Sequence, residues 1–576
     1  MGKRSSAVHI ARVVRKYKDR EYVSFLLRRS YREGGKVKHQ TLANLSALPA
    51  QAIADLRASL AGRRLVDAEE ALEVTRSLPH GHVAAVWSMA RKLGFPALLG
   101  PASPQRDLAM ALIVARVCRP DSKLATTRWW QDTTLAVDLG VADASTDQVY
   151  AAMDWLGDRQ DKLQRRLARR HLEPGGLVYY DLSSSWMEGR CCPLAARGYS
   201  RDGKRGLAQI EYGLLTDPQG RPVAVEVFAG NTGDPATVAG TVARVRDRFG
   251  IRRIVMVGDR GMLTSARVEA LRELGGVGWI TTLRAPAIAA LAQAGTIQPS
   301  LFDQTNLAEV AHPDYPGERL VVCRNPLLGA ERARKRGELL AATQVELDKV
   351  VAAVQAGKLR GAGPIGVKVG RVLGRFKMAK HFTLDIADRH FAYTPNQPAI
   401  DTEAALDGIY VVRTSTTGDQ LDTAGVVEAY KRIAAVERDF RSLKTVDLEL
   451  RPIHHHLEQR VRAHVLVCLL AAYLVWHLRK AWAPLTFTDE TPPQRSDPVA
   501  PARRSPAATH KAASQQTADG TPAHSFHTLL EHLATLTRDD ITFSPTGPSI
   551  QKLTTATPTQ RKAFQLIQAV IPATLT

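Results

Sequence analysis

Six apolar runs between residues 177 and 415 set the pattern of this chain: LVYYDLSS, AQIEYGLLT, PVAVEVFAG, IRRIVMVGD, GVGWITTLR and DGIYVVRTS. Each is rich in β-branched and aromatic residues and is bounded by Gly, Pro or Asp, so each predicts a strand. A turn around Pro218 to Arg221 joins the second and third as a hairpin. GDPATVAGTVARVRDRFG and LTSARVEALRELG have helical spacing and fall between later strands. Three strands in series, then helix alternating with strand, predict a mixed α/β sheet with flanking helices.

The remaining sequence divides around this block. YVSFLLRRSY and KVKHQTLANL flank Arg32-Glu33-Gly34-Gly35 and predict a hairpin with a Gly-Gly turn, followed by a helix from Ala50 to Leu60. Helical patterns such as HVAAVWSMARKLG, LAMALIVARVC and the Ser/Thr/Asp-capped STDQVYAAMDWLG fill 81–172 and predict a helical domain. Its Trp129-Trp130 pair reads as core packing. Between 284 and 406 the strand rhythm lapses into a long helix and the basic stretch GVKVGRVLGRFKMAK, which reads as an insertion into the α/β domain. The chain is thus divided into 1–80, a basic region with a hairpin; 81–172; a first α/β part, 173–283; the insertion, 284–406; and a second α/β part, 407–484. Residues 485–522, rich in Pro, Ala and Ser, predict a disordered linker, and 523–576 a small tail with two short helices.

Charge narrows the possible partners. Lys and Arg number 78 against 57 acids, for a net charge of +21. Such an excess favours a polyanion, through counterion release or attraction to an anionic surface. The basic residues concentrate in the hairpin region and in 331–380. Five scattered cysteines, with no CxxC pairing, point away from a structural zinc site or a disulfide framework and fit a reducing compartment. No long apolar run of the signal-peptide type opens the chain, and Val465 to Leu478 is shorter than the roughly 20 residues needed to span a bilayer. That segment predicts a buried helix, and the chain is expected in the cytoplasm with no membrane contact.

The chemistry gathers on acids. Tyr430 to Lys444 contains no Gly or Pro and predicts one continuous helix. Residues seven apart fall about 20° from a common face, so Tyr430, Glu437 and Lys444 share a stripe, with Ile433, Val436 and Phe440 beside it to meet a core. Upstream, Asp181 ends LVYYD and Asp259 ends IRRIVMVGD. Adjacent parallel strands bring their C-terminal ends together at a crevice, where two aspartates repel unless they share a divalent cation. A glutamate on a helix laid across the sheet completes a hard-oxygen set suited to Mg²⁺ or Mn²⁺.

These residues carry a resemblance. YYDLSSS at 179–185, FAGNTGD at 228–234, VGDRGM at 257–262, Y-x6-E-x6-K at 430–444 and the segment LRPIHHHLEQRVRAHVLVCLLAAYL make the chain similar to DDE transposases of bacterial insertion sequences, in the branch with a Tyr-Arg-Glu-Lys signature. The resemblance covers roughly 175–480. It implies a ribonuclease-H-like catalytic core broken by an insertion domain, with Asp181, Asp259 and Glu437 as catalytic metal ligands for two Mg²⁺ ions, which Mn²⁺ can replace. It also implies that Tyr430 and Lys444 contact DNA phosphate. The family arginine stands four before the glutamate, where this chain has Ile433; its role passes to Arg432, one position away, with Lys431 and Arg441 as substitutes. The implied activity is cut-and-paste transposition. The protein would bind double-stranded terminal inverted repeats and target DNA as a homodimer, in association with the bacterial nucleoid.

Other signals are weaker. His454-His455-His456 cannot all face one ion and reads as polar surface or DNA contact. SRDGKRG reads as a turn beside the site, with Arg201, Lys204 and Arg205 available to DNA. A haloacid-dehalogenase-like phosphatase would need a second acid two residues after Asp181, where Ser183 stands, and gives no reason for the charge. An inactivated transposase kept as a DNA-binding regulator is the other alternative.

Overall fold

The computed structural model describes residues 8–63, 72–188, 191–200, 203–204, 206–232, 240, 249–250, 253–261, 263–495, 497–543 and 547–575. Most of the helix expected from GDPATVAGTVARVRDRFG, and Arg201, Asp202 and Arg205, lie outside them. The chain forms two compact units. One takes in Met1–Ser77 and Arg538–Thr554, the other Leu78–Thr537 and Thr555–Thr576.

In the first unit β1 (Val8–Tyr17), β2 (Arg20–Glu33) and β3 (Lys36–Asn44) form an antiparallel sheet. Glu33 pairs with Lys36 across the predicted Gly34-Gly35 turn. Both glycines have positive φ, 57° and 76°, which a side chain would oppose. The helix Ala50–Leu60 follows, and after it β4 (Leu72–Pro79).

The second unit is organised by an eight-stranded sheet. The predicted strands appear as β5 (Leu177–Trp186), β6 (Gln209–Thr216), β7 (Pro222–Ala229), β8 (Ile254–Val257) and β9 (Val277–Thr282), with the sixth beyond. β6 runs antiparallel to β5 and to β7, while β8 pairs parallel with β5 and with β9. The spatial order β7-β6-β5-β8-β9 is the ribonuclease-H-like arrangement. Both faces of β5 and β6 are buried, which is why these runs are apolar without alternation. Gly213 in β6 fits under Tyr180: a Cβ there would lie 2.0 Å from the phenol oxygen.

Two boundaries differ from those read in the sequence. β10 (Leu307–Val310) and β11 (Arg319–Arg324), inside the expected 284–406 insertion, extend the main sheet by antiparallel pairing. The part that stands on its own core is narrower. Helices Pro326–Gln355 and Ala362–Phe376 and the hairpin β12 (Phe382–Ala387) to β13 (His390–Pro395) enclose Leu347, Val350, Ile365, Val369, Phe382 and Phe391. The chain then re-enters the sheet through β14 (Ile409–Thr414), between β11 and β9. The helices of 81–172 are likewise not a separate domain, for they share one hydrophobic core with the sheet. The helix Glu458–Ala481 joins them: it packs on β7 and on helices Pro104–Cys118 and Thr146–Gly157. Its most apolar 18-residue window is 83% buried, so it is a core helix, apolar on every side because it is covered on every side. Trp130 is fully buried in the same core.

Residues 485–522 are not a disordered linker. Asp489 accepts from both the amide and the hydroxyl of Ser505, at 2.8 Å each, and Ser505 caps the helix Pro506–Ser514. Lys511 is buried and donates to the carbonyls of Ala483, Thr486 and Thr488 and to Glu490. Polar staples rather than an apolar stripe hold the segment, so its composition gave no warning. The tail forms the two expected helices, Phe526–Ala534 and Pro558–Leu566. Between them β15 (Thr537–Phe543) and β16 (Ser549–Leu553) make a sheet with β4.

Candidate active site

The acids reach one place by separate routes. Parallel pairing of β5 with β8 sets Leu177 against Val255, Val178 against Met256 and Tyr179 against Val257. Asp181 and Asp259 each stand two residues past that last pair, at the same offset. Asp181 does not end its strand as the sequence suggested. β5 runs on to Trp186 because Ser183, Ser184 and Ser185, though polar, are buried and paired with β6. Asp181 therefore stands at the point where β5 loses β8 as a partner and keeps β6. Asp259 lies just after β8, in a turn held by Leu263 N–H on the Asp259 carbonyl (3.0 Å) and by Arg267 donating to the carbonyl of Gly261 (3.0 Å).

Glu437 arrives on the helix Ile433–Arg441, which packs across β5. Ile433, Val436 and Phe440 recur at helical spacing and are buried, and the Phe440 ring meets Tyr212 of β6 at 5.8 Å between centroids. Glu437, one step round from that face, is exposed. Asp181, Asp259 and Glu437 all line a single cleft of about 530 Å³, with Ser183, Phe440, Arg441, Lys444, Thr445 and Arg451. Among the described residues, no three Asp, Glu, His or Cys groups are already drawn together at ligating distance. The acids stand around an open cleft rather than in a closed knot.

The cations are arranged less simply. The expected single helix 430–444 is broken. Thr423–Lys431 ends with Arg432 as its C-cap, Ile433–Arg441 begins anew, and Ser442–Val446 winds into a π-turn. The stripe geometry of an unbroken helix does not apply across these breaks. Arg432, which the sequence placed on DNA, lines a different cavity with Tyr179, Asp217, Gly220 and Val436. Ile433 occupies the cleft wall in its stead. Tyr430 lies beside the site and shares a 3.1 Å hydrogen bond with Thr282. Burial raises its phenol pKa above the usual value; the Thr282 bond opposes that shift, and the negative charges of Asp259 and Glu437 reinforce it.

Arg451 escaped the sequence reading. It stands 14 residues after Glu437, beyond the end of the helix, where no periodicity relates the two. His455, read with its neighbours as polar surface or DNA contact, packs its ring against Tyr150 and His464.

Comparisons with known proteins bear on the family of the chain. The family model described as the transposase DDE domain matches residues 193–474, a span that contains Asp259 and Glu437 and begins after Asp181. The model of the IS1634 family transposase N-terminal domain matches residues 10–71. No curated protein matches. Among solved structures, a piggyBac transposase synaptic complex with hairpin DNA is 9% identical, with a TM-score of 0.33, over 79% of this chain and 76% of that one. A Mos1 transposase paired-end complex with the left transposon end is 13% identical, with a TM-score of 0.13, over 29% of this chain and 60% of that one. With two transposase family models spanning more than half of its length and an acidic cleft on a ribonuclease-H-like sheet, the chain belongs to the DDE transposases of insertion sequences.

Proposed function

We propose that this transposase binds the terminal inverted repeats of its own insertion sequence and carries out cut-and-paste transposition at the cleft of Asp181, Asp259 and Glu437, acting as a homodimer that pairs two ends. The observation that supports this best is the shared cleft itself: carboxylates from a strand, a post-strand turn and a helix, bordered by Arg441, Lys444 and Arg451. Three carboxylates are a hard-oxygen donor set, which fits Mg²⁺, with Mn²⁺ able to substitute. A pair of such ions, when bound by these acids, supplies an activated nucleophile and stabilises the attacking and leaving oxygens of phosphoryl transfer.

The protein's own groups supply the rest. Arg441 and Lys444 line the cleft beside the acids and offset the phosphodiester charge as DNA enters. Tyr430 stays protonated near neutral pH, since its pKa is shifted upward, and its hydroxyl can donate to a phosphate oxygen. The basic β1–β3 region and the lobe 326–404 offer positive charge for the flanking duplex.

The test is cleavage and strand transfer by the full chain with Mg²⁺, on duplexes carrying the inverted repeats that flank its coding region. Asp181→Asn and Glu437→Gln are expected to abolish cleavage and leave end binding in place. Cleavage that survives both substitutions rules this reading out; binding without any cleavage by the unaltered chain identifies a regulator instead.

A further inference from the structure

We infer that Arg451 is the arginine that holds the scissile phosphate, taking the part that Arg432 cannot play from its own cavity. The inference rests on the transposase reading of the cleft and assigns a substrate-contacting residue outside the Tyr430–Lys444 stretch.

The first observation is a swap of positions. A phosphate held next to three carboxylates needs a donor fork on the same cleft, because an arginine presents paired N–H groups that match two phosphate oxygens. Arg432 lies with Tyr179 and the 217–220 turn, and the apolar Ile433 lines the cleft. Arg441 and Arg451 both line the cleft with all three acids; Arg441 is exposed, whereas Arg451 is half-buried.

The second observation is how firmly its backbone is fixed. Asp447 takes two bonds from Arg479, at 2.6 and 2.7 Å, and a further one from Ser442. The Leu448 carbonyl accepts from buried Arg116 at 3.4 Å, and the Leu450 carbonyl from His464 Nε2 at 3.1 Å. His464 is itself held by Lys123, whose Nζ lies 3.1 Å from His464 Nδ1 in the buried core. Beyond Arg451, the Ile453 amide donates to Trp186 and its carbonyl accepts from Glu188, at 3.3 and 2.9 Å. Leu448, Leu450 and Ile453 are fully buried. The segment is tied to the helical core on one side and to the end of β5 on the other, so its half-buried arginine enters the cleft from a fixed base. A charged donor held this way needs little reorganisation when it meets a developing negative charge. Its guanidinium donates N–H groups to non-bridging phosphate oxygens and neither gains nor loses a proton.

The experiment compares Arg451→Gln, Arg451→Lys, Arg432→Ala and Asp181→Asn in the full chain with Mg²⁺ and the inverted-repeat duplex, reading cleavage rate, end affinity and its salt dependence. Glutamine keeps part of the aliphatic stem and removes the charge. Arg451→Gln is expected to cut the cleavage rate by about 100-fold. The same variant should lower the slope of log affinity against log salt by about one. Arg451→Lys should recover part of the rate, and Arg432→Ala should change it by less than about threefold, as for a residue outside the cleft. A merely structural role for the stem predicts a near-normal rate for Arg451→Gln, and that result overturns the inference, as does a loss that falls on Arg432→Ala instead. Should Asp181→Asn cleave normally, the reading of the cleft itself fails; should Asp181→Asn be dead while Arg451→Gln is active, only the arginine assignment fails.

Discussion

Asp181 and Asp259 stand at one register offset, each two residues beyond the pair Tyr179–Val257 that closes the parallel ladder of β5 and β8. Neighbouring strands thus bring two like charges to the same edge of the cleft. A cation shared between them would offset that like charge.

Divalent ions should therefore bind the protein without DNA. Mg²⁺ or Mn²⁺ at about 100 times its dissociation constant would stabilise the fold by about 2.7 kcal/mol. Asp259→Asn should lose most of the ion-dependent rise in melting temperature, as read by calorimetry across a metal titration. An unchanged metal response in that variant would separate the aspartates from ion binding.

Phe440 holds the glutamate's helix to the sheet. It is buried against Tyr212, so Phe440→Ala should cost about 3–5 kcal/mol and Phe440→Leu much less. Because Glu437 rides on the same helix, cleavage should fall in the alanine variant even at temperatures where it remains folded. Urea titration alongside cleavage assays checks both halves.

Lys511 makes the 485–522 segment part of the fold. Its ammonium satisfies three backbone carbonyls and Glu490. Lys511→Met should leave the buried Thr486 carbonyl without this donor and the Ala483 carbonyl with only the Thr486 amide, at a cost of about 1–3 kcal/mol. Limited proteolysis gives the clearest sign: the unaltered segment resists cleavage, while the variant is cut between 485 and 522. Equal sensitivity of both proteins would return the segment to the status of a linker.

Acid should loosen the helical core through His82. Burial, aided by the positive charge of neighbouring His80, lowers its pKa to about 3. The unfolded chain then binds the proton more readily than the folded one. Stability from this group is complete above the unfolded value near 6.5 and falls as pH drops from there towards 3. The slope is at most about 1.4 kcal/mol per pH unit. His82→Gln should flatten that part of the profile in denaturant titrations between pH 7 and pH 4, whereas an unaltered slope would place the acid sensitivity elsewhere.

Much of the central architecture was legible in residue pattern. The six strands, the Gly34-Gly35 hairpin and the helix Ala50–Leu60 follow from local preferences: β-branched runs between turn residues, paired glycines that accept positive φ, and apolar spacing near 3.6. Asp181 and Asp259 stood out for a related reason, as acids closing or interrupting apolar runs. The amphipathic face of Ile433, Val436 and Phe440 told which way Glu437's helix would turn.

Other features had no local signature. Whether Arg432 or Arg451 enters the cleft depends on a helix break and on anchors from Arg116, His464 and Trp186, which lie far away in sequence. The order of 485–522 depends on Lys511 and Asp489 finding particular backbone groups, and the reach of the main sheet depends on β11 finding β14. Backbone periodicity is written into neighbouring residues, so the sequence by itself determined the six central strands, most of the helices and the acids they carry. The direction of a long cationic side chain, and the partner of a polar staple, are settled by contacts between distant segments, and only the tertiary structure decided those.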